Sequence, residues 1–575
     1  MIAVSPVFRE NVRVNVETTL LFILACVAVV VAVRWFSEKT GLPAAALLTI
    51  IGILYAVLPG PNIELEPEWI LTLVLPPLLY NAALDSSLID IRHNLRTVIS
   101  LSLVLVLITA LLVGVGFELF VTGATLAAGV ALGAAIAPPD PVAALAVGKK
   151  VGLPRNIVTL VQGEGLLNDA TALTLLGVAV AAAIGDGFSF ATTVGRFVIS
   201  AGGGVIAGII VAYLVRTLRP IMQDPLIANA ISLATPFAAY LLAESIHVSG
   251  VHLSGVLAVV IAGLIVGHDA PRLSSGASRL QVSAVWRLVD FLLEGLVFLL
   301  IGQQLPKVIE GLSEYKTSTI IIAVSISVGV VLLLRPLFLL LTQMLPQSLH
   351  TRLGGESDET PEDAGTQARQ RERERRLNGR EIIALSWSGT RGVITLAAVF
   401  TIPARTESGA PFPDLDLLLF CAFVVVLVTL VGQGITFAPL VRALGLKANQ
   451  ADKVRLRNEA RFASVQAALD RLDEVQQNPH DALDDHAIEA MRKQLGHRMD
   501  RYQHRLDMLE QSDSDEVPES PQYEAALRTR RSVIDAQREE LLRWRDAGRL
   551  SDEGLRVLER ELDHEERLLP DRPRS

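Results

Sequence analysis

Two carboxylates and an amide, Glu164, Asn168 and Asp169, head the apolar run GEGLLNDATALTLLGVAVAAA, residues 163 to 183. An ionisable side chain at the centre of a bilayer costs about 3 kcal/mol on insertion scales, so it persists where it pairs or meets water and substrate. In a helix Glu164 and Asn168 share one face, while Asp169 projects about 100° further round. One helix can thus offer Glu164 to a neighbour and Asp169 to a cavity. Upstream, AIAPPDPVAALAV encloses Asp140 between Pro138, Pro139 and Pro141. Proline removes backbone N–H donors and blocks the preceding turn, so the helix is predicted to unwind around Asp140 and free carbonyls that can bind a cation.

Cations stand ready for these acids. LSWSGTRGVITLAAV sets Arg391 between Gly389 and Gly392, and VVLLLRPLFLLL sets Arg335 directly before Pro336. Taken singly, Arg335 or Asp140 near a helix end can be a side chain snorkelling to the interface. Glu294, in FLLEGLVFLLIG, is a further candidate that also reads as an interhelical hydrogen-bond partner. Together, Asp140, Glu164, Asn168, Asp169, Arg335 and Arg391, in helices interrupted by Pro or Gly, point to an ion pathway.

An oxygen-only site suits a hard cation. A carboxylate withdrawn from water is stabilised as the anion by a cation beside it, so proton and cation compete for Asp169. If access switches only when Asp169 is neutralised by one or the other, strict exchange follows without hydrolysis or a cofactor.

The elements that must hold these groups are membrane helices. The 575 residues are 51% hydrophobic and only 19% charged, with a mean hydropathy of +0.44; that apolar excess needs a bilayer. Thirteen predicted spans lie near 17–35, 42–58, 68–84, 96–117, 124–147, 156–184, 196–215, 226–243, 253–267, 286–303, 318–343, 380–402 and 414–440. The first has no cleavage site behind it and reads as a retained helix. Alternate loops carry Arg34 and Lys39; Arg92 and Arg96; Lys149, Lys150 and Arg155; Arg216 and Arg219; Arg272, Arg279 and Arg287; then RQRERERR. These loops are predicted to be cytoplasmic, which puts the N-terminus outside and the C-terminus inside.

The fold class expected is therefore an all-α polytopic membrane protein with a C-terminal cytoplasmic helical domain. The membrane domain is set at 1–444, with a charged, solvated cytoplasmic loop at 352–378 within it, and the tail at 445–575, where apolar residues recur at helical spacing among many charges. The tail carries no site motif and also reads as a dimerising or spacer module. The net charge of −9 averages these two parts, and no basic domain suggests nucleic acid. Cys26 and Cys421 lie in apolar runs without neighbouring metal ligands, so neither a disulfide framework nor zinc is expected. His247 and His252 fall in a short outer loop and read as solvated.

At these residues the chain resembles the monovalent cation/proton antiporters of the bacterial NhaP-like branch, relatives of the animal sodium/proton exchangers. The matching pieces are LPPLLYNAAL, PPDPVAA, GEGLLNDA, FLLEGLVFLLIG and WSGTRGVITLA, in the family's order from about residue 68 to 402. The resemblance implies that Asp169 is the ion-binding carboxylate, Asn168 its neighbouring ligand or organiser, and Asp140 a nearby site carboxylate. It implies that Glu164 and Arg335 form a structural ion pair and that Arg391 stands where two broken helices cross. It also implies inverted repeats, a homodimer, a core bundle moving against a scaffold, the plasma membrane, and sodium as the cation exported against protons, with potassium or lithium open. Asn168, where electrogenic relatives carry a second Asp, implies one-for-one electroneutral exchange. Pro139 and Gly165 depart from the family pattern, each deleting a hydroxyl near the ion.

Two other classes compete. An intramembrane aspartyl protease needs two Asp residues on neighbouring helices, but such enzymes carry Gly-x-Gly-Asp where this chain has Leu-Asn-Asp at 167 to 169. A membrane ion sensor gating the tail needs the same buried acids and differs in moving no ions.

Overall fold

The computed structural model describes residues 16–40, 42–57, 70–93, 95–140, 144–145, 148, 153–184, 190–222, 224–248, 251–344, 378–406, 410–446, 450–476, 485–510 and 521–567. The chain divides into two compact units, Met1–Ala448 and Asn449–Ser575.

In the first unit the helices are α1 (Val16–Thr40), α2 (Ala44–Ala56), α3 (Leu75–Leu84), α4 (Leu88–His93), α5 (Leu95–Ile99), α6 (Leu105–Phe120), α7 (Leu126–Ile136), α8 (Arg155–Ile184), α9 (Phe190–Leu218) and α10 (Pro225–Glu244). They continue with α11 (Gly255–Leu273), α12 (Gly276–Glu310), α13 (Thr317–Met344), α14 (Gly379–Trp387), α15 (Val393–Phe400), α16 (Leu415–Leu427) and α17 (Gly434–Ala443). Among the described residues, seven stretches are long and apolar enough to cross a membrane by themselves: Thr97–Phe120, Leu160–Ile184, Val194–Leu218, Pro225–Glu244, Gly255–Leu273, Thr317–Thr342 and Leu415–Ala443. Shorter apolar helices, among them Ala44–Ala56, Thr72–Leu84 and Leu126–Ile136, pack with them. Each of the thirteen sequence segments overlaps a helical stretch, although the tenth extends well beyond 286–303 into the 35-residue α12.

Local chemistry sets the ends. Thr125 caps α7 by accepting from the Ala128 amide at 3.2 Å, and Asp224 caps α10 by accepting from the Leu226 amide at 2.7 Å, with Pro225 in the first helical position where its missing N–H costs nothing. Among the described residues three π-helical turns occur: Ile70–Val74 leads into α3, while Ser100–Val104 and Val428–Gln433 each lie between α-helical segments. The last two touch the functional centre described below, where such turns recur in proteins.

The core separates into layers. One apolar cluster joins α2, α6, α7, α12, α13, α15 and α16 through residues such as Val113, Phe117, Leu132, Ile136, Ile301, Leu396 and Phe423. A second joins α3, α9, α10, α11 and α12 through Tyr80, Ala212, Ala239, Val259 and Trp286. The first includes α7 and α15, one half of each broken helix, while α14 packs through Ile382, Ala384 and Leu385 in a third cluster with α8 and α17; the second is built largely from helices without a break.

The second unit holds α18 (Gln450–Gln476), α19 (Asp485–Glu510), α20 (Pro521–Asp546) and α21 (Asp552–Arg567). They pair in sequence as α18 with α19 and α20 with α21. Arg492 reaches Asp473 at 2.5 Å across the first pair, and Arg538 reaches Asp563 at 2.5 Å and Glu566 at 2.7 Å across the second. Exposed ion pairs contribute about 0–1 kcal/mol each, so buried apolar residues such as Val465, Ile488, Ile534 and Leu555 carry the packing. The described residues of the charged loop 352–378 begin only at Asn378, so that expectation lies outside the described structure.

Candidate functional site

The break at Asp140 begins earlier than the proline pattern alone places it. Helix α7 ends at Ile136, leaving the carbonyls of its last turn without amide partners because Pro138 and Pro139 donate nothing. In an apolar interior each orphaned carbonyl costs several kcal/mol. Arg391 supplies what is missing: its Nε donates to the Ile136 carbonyl and its Nη2 to the Ala137 carbonyl, both at 2.9 Å.

Arg391 itself lies in the second break. Helix α14 stops at Trp387, α15 resumes at Val393, and residues 388–392 between them are not helical. The two breaks satisfy one another. The Asp140 amide donates to the Thr390 carbonyl at 2.6 Å, the Thr390 hydroxyl donates back to the Asp140 carbonyl at 3.0 Å, and Arg391 Nη1 donates to the Gly389 carbonyl. The π-helical turn of residues 428–433 closes the arrangement, with the Thr429 hydroxyl accepting from the Arg391 amide at 2.9 Å. A Cβ at Gly392 would fall on the Asp140 carboxylate, so only glycine lets the backbone at the start of α15 lie against that acid.

Helix α8 crosses this knot with its polar face. Asn168 Nδ2 donates to the Pro139 carbonyl at 3.2 Å, while its Oδ1 is buried without a partner. Pro139 thus has no hydroxyl to offer, but its carbonyl organises the site. Asn168 is fully buried and Asp169 is 4% exposed, and no hydrogen bond or ion pair engages the Asp169 carboxylate among the described residues. Asp140 and Glu164 both lie within electrostatic reach of it.

Glu164 faces the other way. Arg335 on α13 donates Nη2 to Glu164 Oε2 at 2.8 Å and Nη1 to Glu164 Oε1, and its Nε donates to the Leu385 carbonyl in the last turn of α14 at 3.0 Å. This pair therefore links α8, α13 and α14. The Ser102 hydroxyl, in the π-helical turn before α6, donates to the Glu164 carbonyl at 3.2 Å.

Glu294 is half-buried on α12, within electrostatic reach of Asp140, Asp290 and Arg34. Asp290, one turn earlier on that helix, accepts from Asn81 Nδ2 at 2.9 Å. His247 and His252 are exposed, opposite one another in a two-residue antiparallel ladder.

The structure thus joins Asp140 and Arg391 at the crossing of the two breaks, ties Asn168 to it through the Pro139 carbonyl, pairs Glu164 with Arg335, and leaves Asp169 within electrostatic reach of Asp140 and Glu164, and Glu294 within reach of Asp140. Thr390, Thr429, and the carbonyls of Ile136 and Ala137 were not singled out by sequence. A hydroxyl between two glycines within a span was the available signal for Thr390. Chemically, the centre offers a buried carboxylate, an unpartnered amide oxygen, a second carboxylate at a helix break and a fixed guanidinium: oxygen ligands for a hard cation, with positive charge held back by carbonyls.

Residues 23–443 match the family model described as the transmembrane part of the sodium/hydrogen exchangers. A protein of Mycobacterium tuberculosis strain H37Rv, named as a Na(+)/H(+) exchanger, is 33% identical over 95% of this chain and 95% of its own. The sodium, potassium, lithium and rubidium/H(+) antiporter of Bacillus subtilis is 32% identical over 68% of this chain and 56% of its own length. The solved structure of the sodium proton antiporter MjNhaP1 from Methanocaldococcus jannaschii shares the fold, with a TM-score of 0.57 at 18% identity over 75% of this chain and 99% of that one.

Proposed function

The chain belongs to the sodium/hydrogen exchanger family of multi-pass membrane transporters, and from that premise we propose that it exchanges one sodium ion for one proton at Asp169. The observation that carries this reading is the pairing of a buried Asp169 with the partnerless Asn168 Oδ1 beside the crossing of two broken helices. A sodium ion there would gain Asp169, the Asn168 carbonyl oxygen and Asp140 as ligands. A proton on Asp169 would neutralise the same charge, so the two occupy the site in turn.

Arg391 holds the crossing together and Arg335 with Glu164 ties the core helices to one another, so the bundle moves as a body while the scaffold stays. Movement with a bare anion at Asp169 would carry an uncompensated charge through the apolar interior, which makes the neutralised states the mobile ones. The position beside Asp169 holds Asn168, an amide that takes up no proton, where electrogenic relatives carry a second Asp; on that resemblance the cycle carries one charge each way and is electroneutral. We assign residues 1–444 to this transport domain and 445–575 to a cytoplasmic tail. The protein sits as a homodimer in the plasma membrane, with its N-terminus outside.

Potassium is the second reading, favoured by the Bacillus subtilis relative, whose name joins sodium with potassium, lithium and rubidium. The test is cation-induced proton movement in acid-loaded proteoliposomes with sodium, potassium and lithium added separately. Wild type is expected to respond and Asp169→Asn to give none. Flux that persists in Asp169→Asn would remove Asp169 from the site, and absence of flux with every cation from folded protein would favour a sensor. An effect of membrane potential on flux in well-shunted vesicles would overturn one-for-one exchange.

A further inference from the structure

Three arginines are buried among the described residues, and one of them has no acid and little else to hold it. Arg335 pairs with Glu164, and Arg391 is occupied by carbonyls. Arg219, directly after α9, is only 7% exposed, yet no carboxylate pairs with it among the described residues. Its Nη1 donates to the Ser274 hydroxyl at 3.2 Å, and its Nε is buried without a partner. The neighbouring Arg216 is different: exposed, and bridged to Asp269 at 3.4 Å. A buried cation left without an anion costs several kcal/mol.

Ser274, just beyond α11, draws in a second arginine, since Arg279 at the start of α12 donates Nη1 to the Ser274 carbonyl. Two guanidinium groups and a hydroxyl therefore converge where the end of α9, the end of α11 and the start of α12 meet. The fully buried Tyr80 hydroxyl, beside Ser232 and Thr235, lies within electrostatic reach of Arg219. Trp286, hydrogen-bonded to Ser232 at 2.9 Å and 5.5 Å from the Tyr80 ring, makes a fixed wall there. A guanidinium with a free Nε can fork onto two oxygens of a phosphate group, which a halide does not offer.

We propose that Arg219, Ser274 and Arg279 form a binding site for a phosphate-bearing anion, at the end of the bundle that loop charge assigns to the cytoplasmic leaflet. The shared chemistry is a phosphate group, offered either by an anionic phospholipid headgroup or by free phosphate. A basic recess between membrane helices on that side is where anionic headgroups are taken up. The site lies in the second apolar cluster, apart from Asp169, and does not depend on which cation is transported.

The test is thermal unfolding of the full-length protein in neutral detergent, titrated in one arm with short-chain phosphatidylglycerol and in the other with inorganic phosphate. Wild type is expected to be stabilised by phosphatidylglycerol, and Arg219→Gln to need about tenfold more for the same effect, the loss of one or two charge-assisted hydrogen bonds. Arg279→Gln and Ser274→Ala should weaken the response in the same direction. Arg287→Gln, at an exposed arginine on the same helix as Arg279 that among the described residues bonds only the Ser283 carbonyl one turn back, should not. Stabilisation of wild type by inorganic phosphate alone, again lost with Arg219→Gln, would assign the site to the soluble ion. No response of wild type to either probe, or responses in Arg219→Gln and Ser274→Ala equal to wild type, would overturn the proposal. Should Arg219→Gln fail to fold, Ser274→Ala and Arg279→Gln carry the comparison.

Discussion

Glu164 and Arg335 form a two-pronged ion pair in which the acid is 1% and the base 3% exposed. The pair connects α8 to α13 and, through Leu385, to α14, so it fixes the helix that carries Asp169 against the helix that leads into the second break. Replacing either member alone strands its partner and should destabilise the fold by about 3–5 kcal/mol. Glu164→Gln and Arg335→Gln are each expected to melt far earlier than wild type in detergent. Glu164→Leu combined with Arg335→Met should recover most of that loss. A double variant as unstable as the singles would show that the pair contributes more than mutual compensation.

Gly392 and Gly389 flank Arg391 but differ in what a side chain would meet. A Cβ at 392 lands on the Asp140 carboxylate, whereas one at 389 comes within 3.0 Å of Arg335 Cδ, part of a long side chain. Gly392→Ala should displace Asp140 and cut cation-driven proton flux at least about tenfold while the protein still inserts. Gly389→Ala should cost less. Equal fluxes for the two variants would mean that Asp140 does not need its place against α15.

How far the sequence reached follows from which groups have side chains. The prolines around Asp140 and the glycines around Arg391 announced two interrupted helices, and both breaks exist because those residues remove donors or permit close approach. The partners of Arg391 were illegible, since two of them are backbone carbonyls of residues 136 and 137, left over only once α7 stops. Apolar periodicity does not distinguish π-helical from α-helical turns, so the turn that brings Thr429 to Arg391 left no mark. The Asn81 and Asp290 contact joins residues 209 positions apart and belongs to tertiary packing alone.

Asp414 begins α16 in the left-handed conformation, with φ of 53°. Burial pushes its carboxyl above the ordinary value of 3.8, and the hydrogen bond from Tyr315 pulls it part of the way back. A carboxyl that holds its proton to higher pH when folded contributes stability that is present below its unfolded value and is lost as pH rises through the folded one. Wild type should therefore lose thermal stability relative to Asp414→Asn as pH is raised from about 4 towards neutral. Asparagine tolerates this conformation and keeps an acceptor for Tyr315, whereas Asp414→Ala should cost about 1–2 kcal/mol at every pH. Parallel melting curves for wild type and Asp414→Asn across that range would refute the titration.

The tail has its own apolar seams and is its own compact unit from Asn449 onward. Every hydrogen bond described at the ion site is made by residues at or before Thr429. A chain ended near residue 447 should therefore insert and transport. On the proposed cytoplasmic placement of the tail, the pH profile of transport should nevertheless move, because the tail is rich in charged side chains whose field would act on ions and protons near it. Raising ionic strength should shrink the difference between full-length and truncated protein, since screening acts on exactly that long-range field. Identical pH profiles at low salt would leave the tail without a role in transport, and a correctly inserted but inactive truncation would place part of the transport machinery within it.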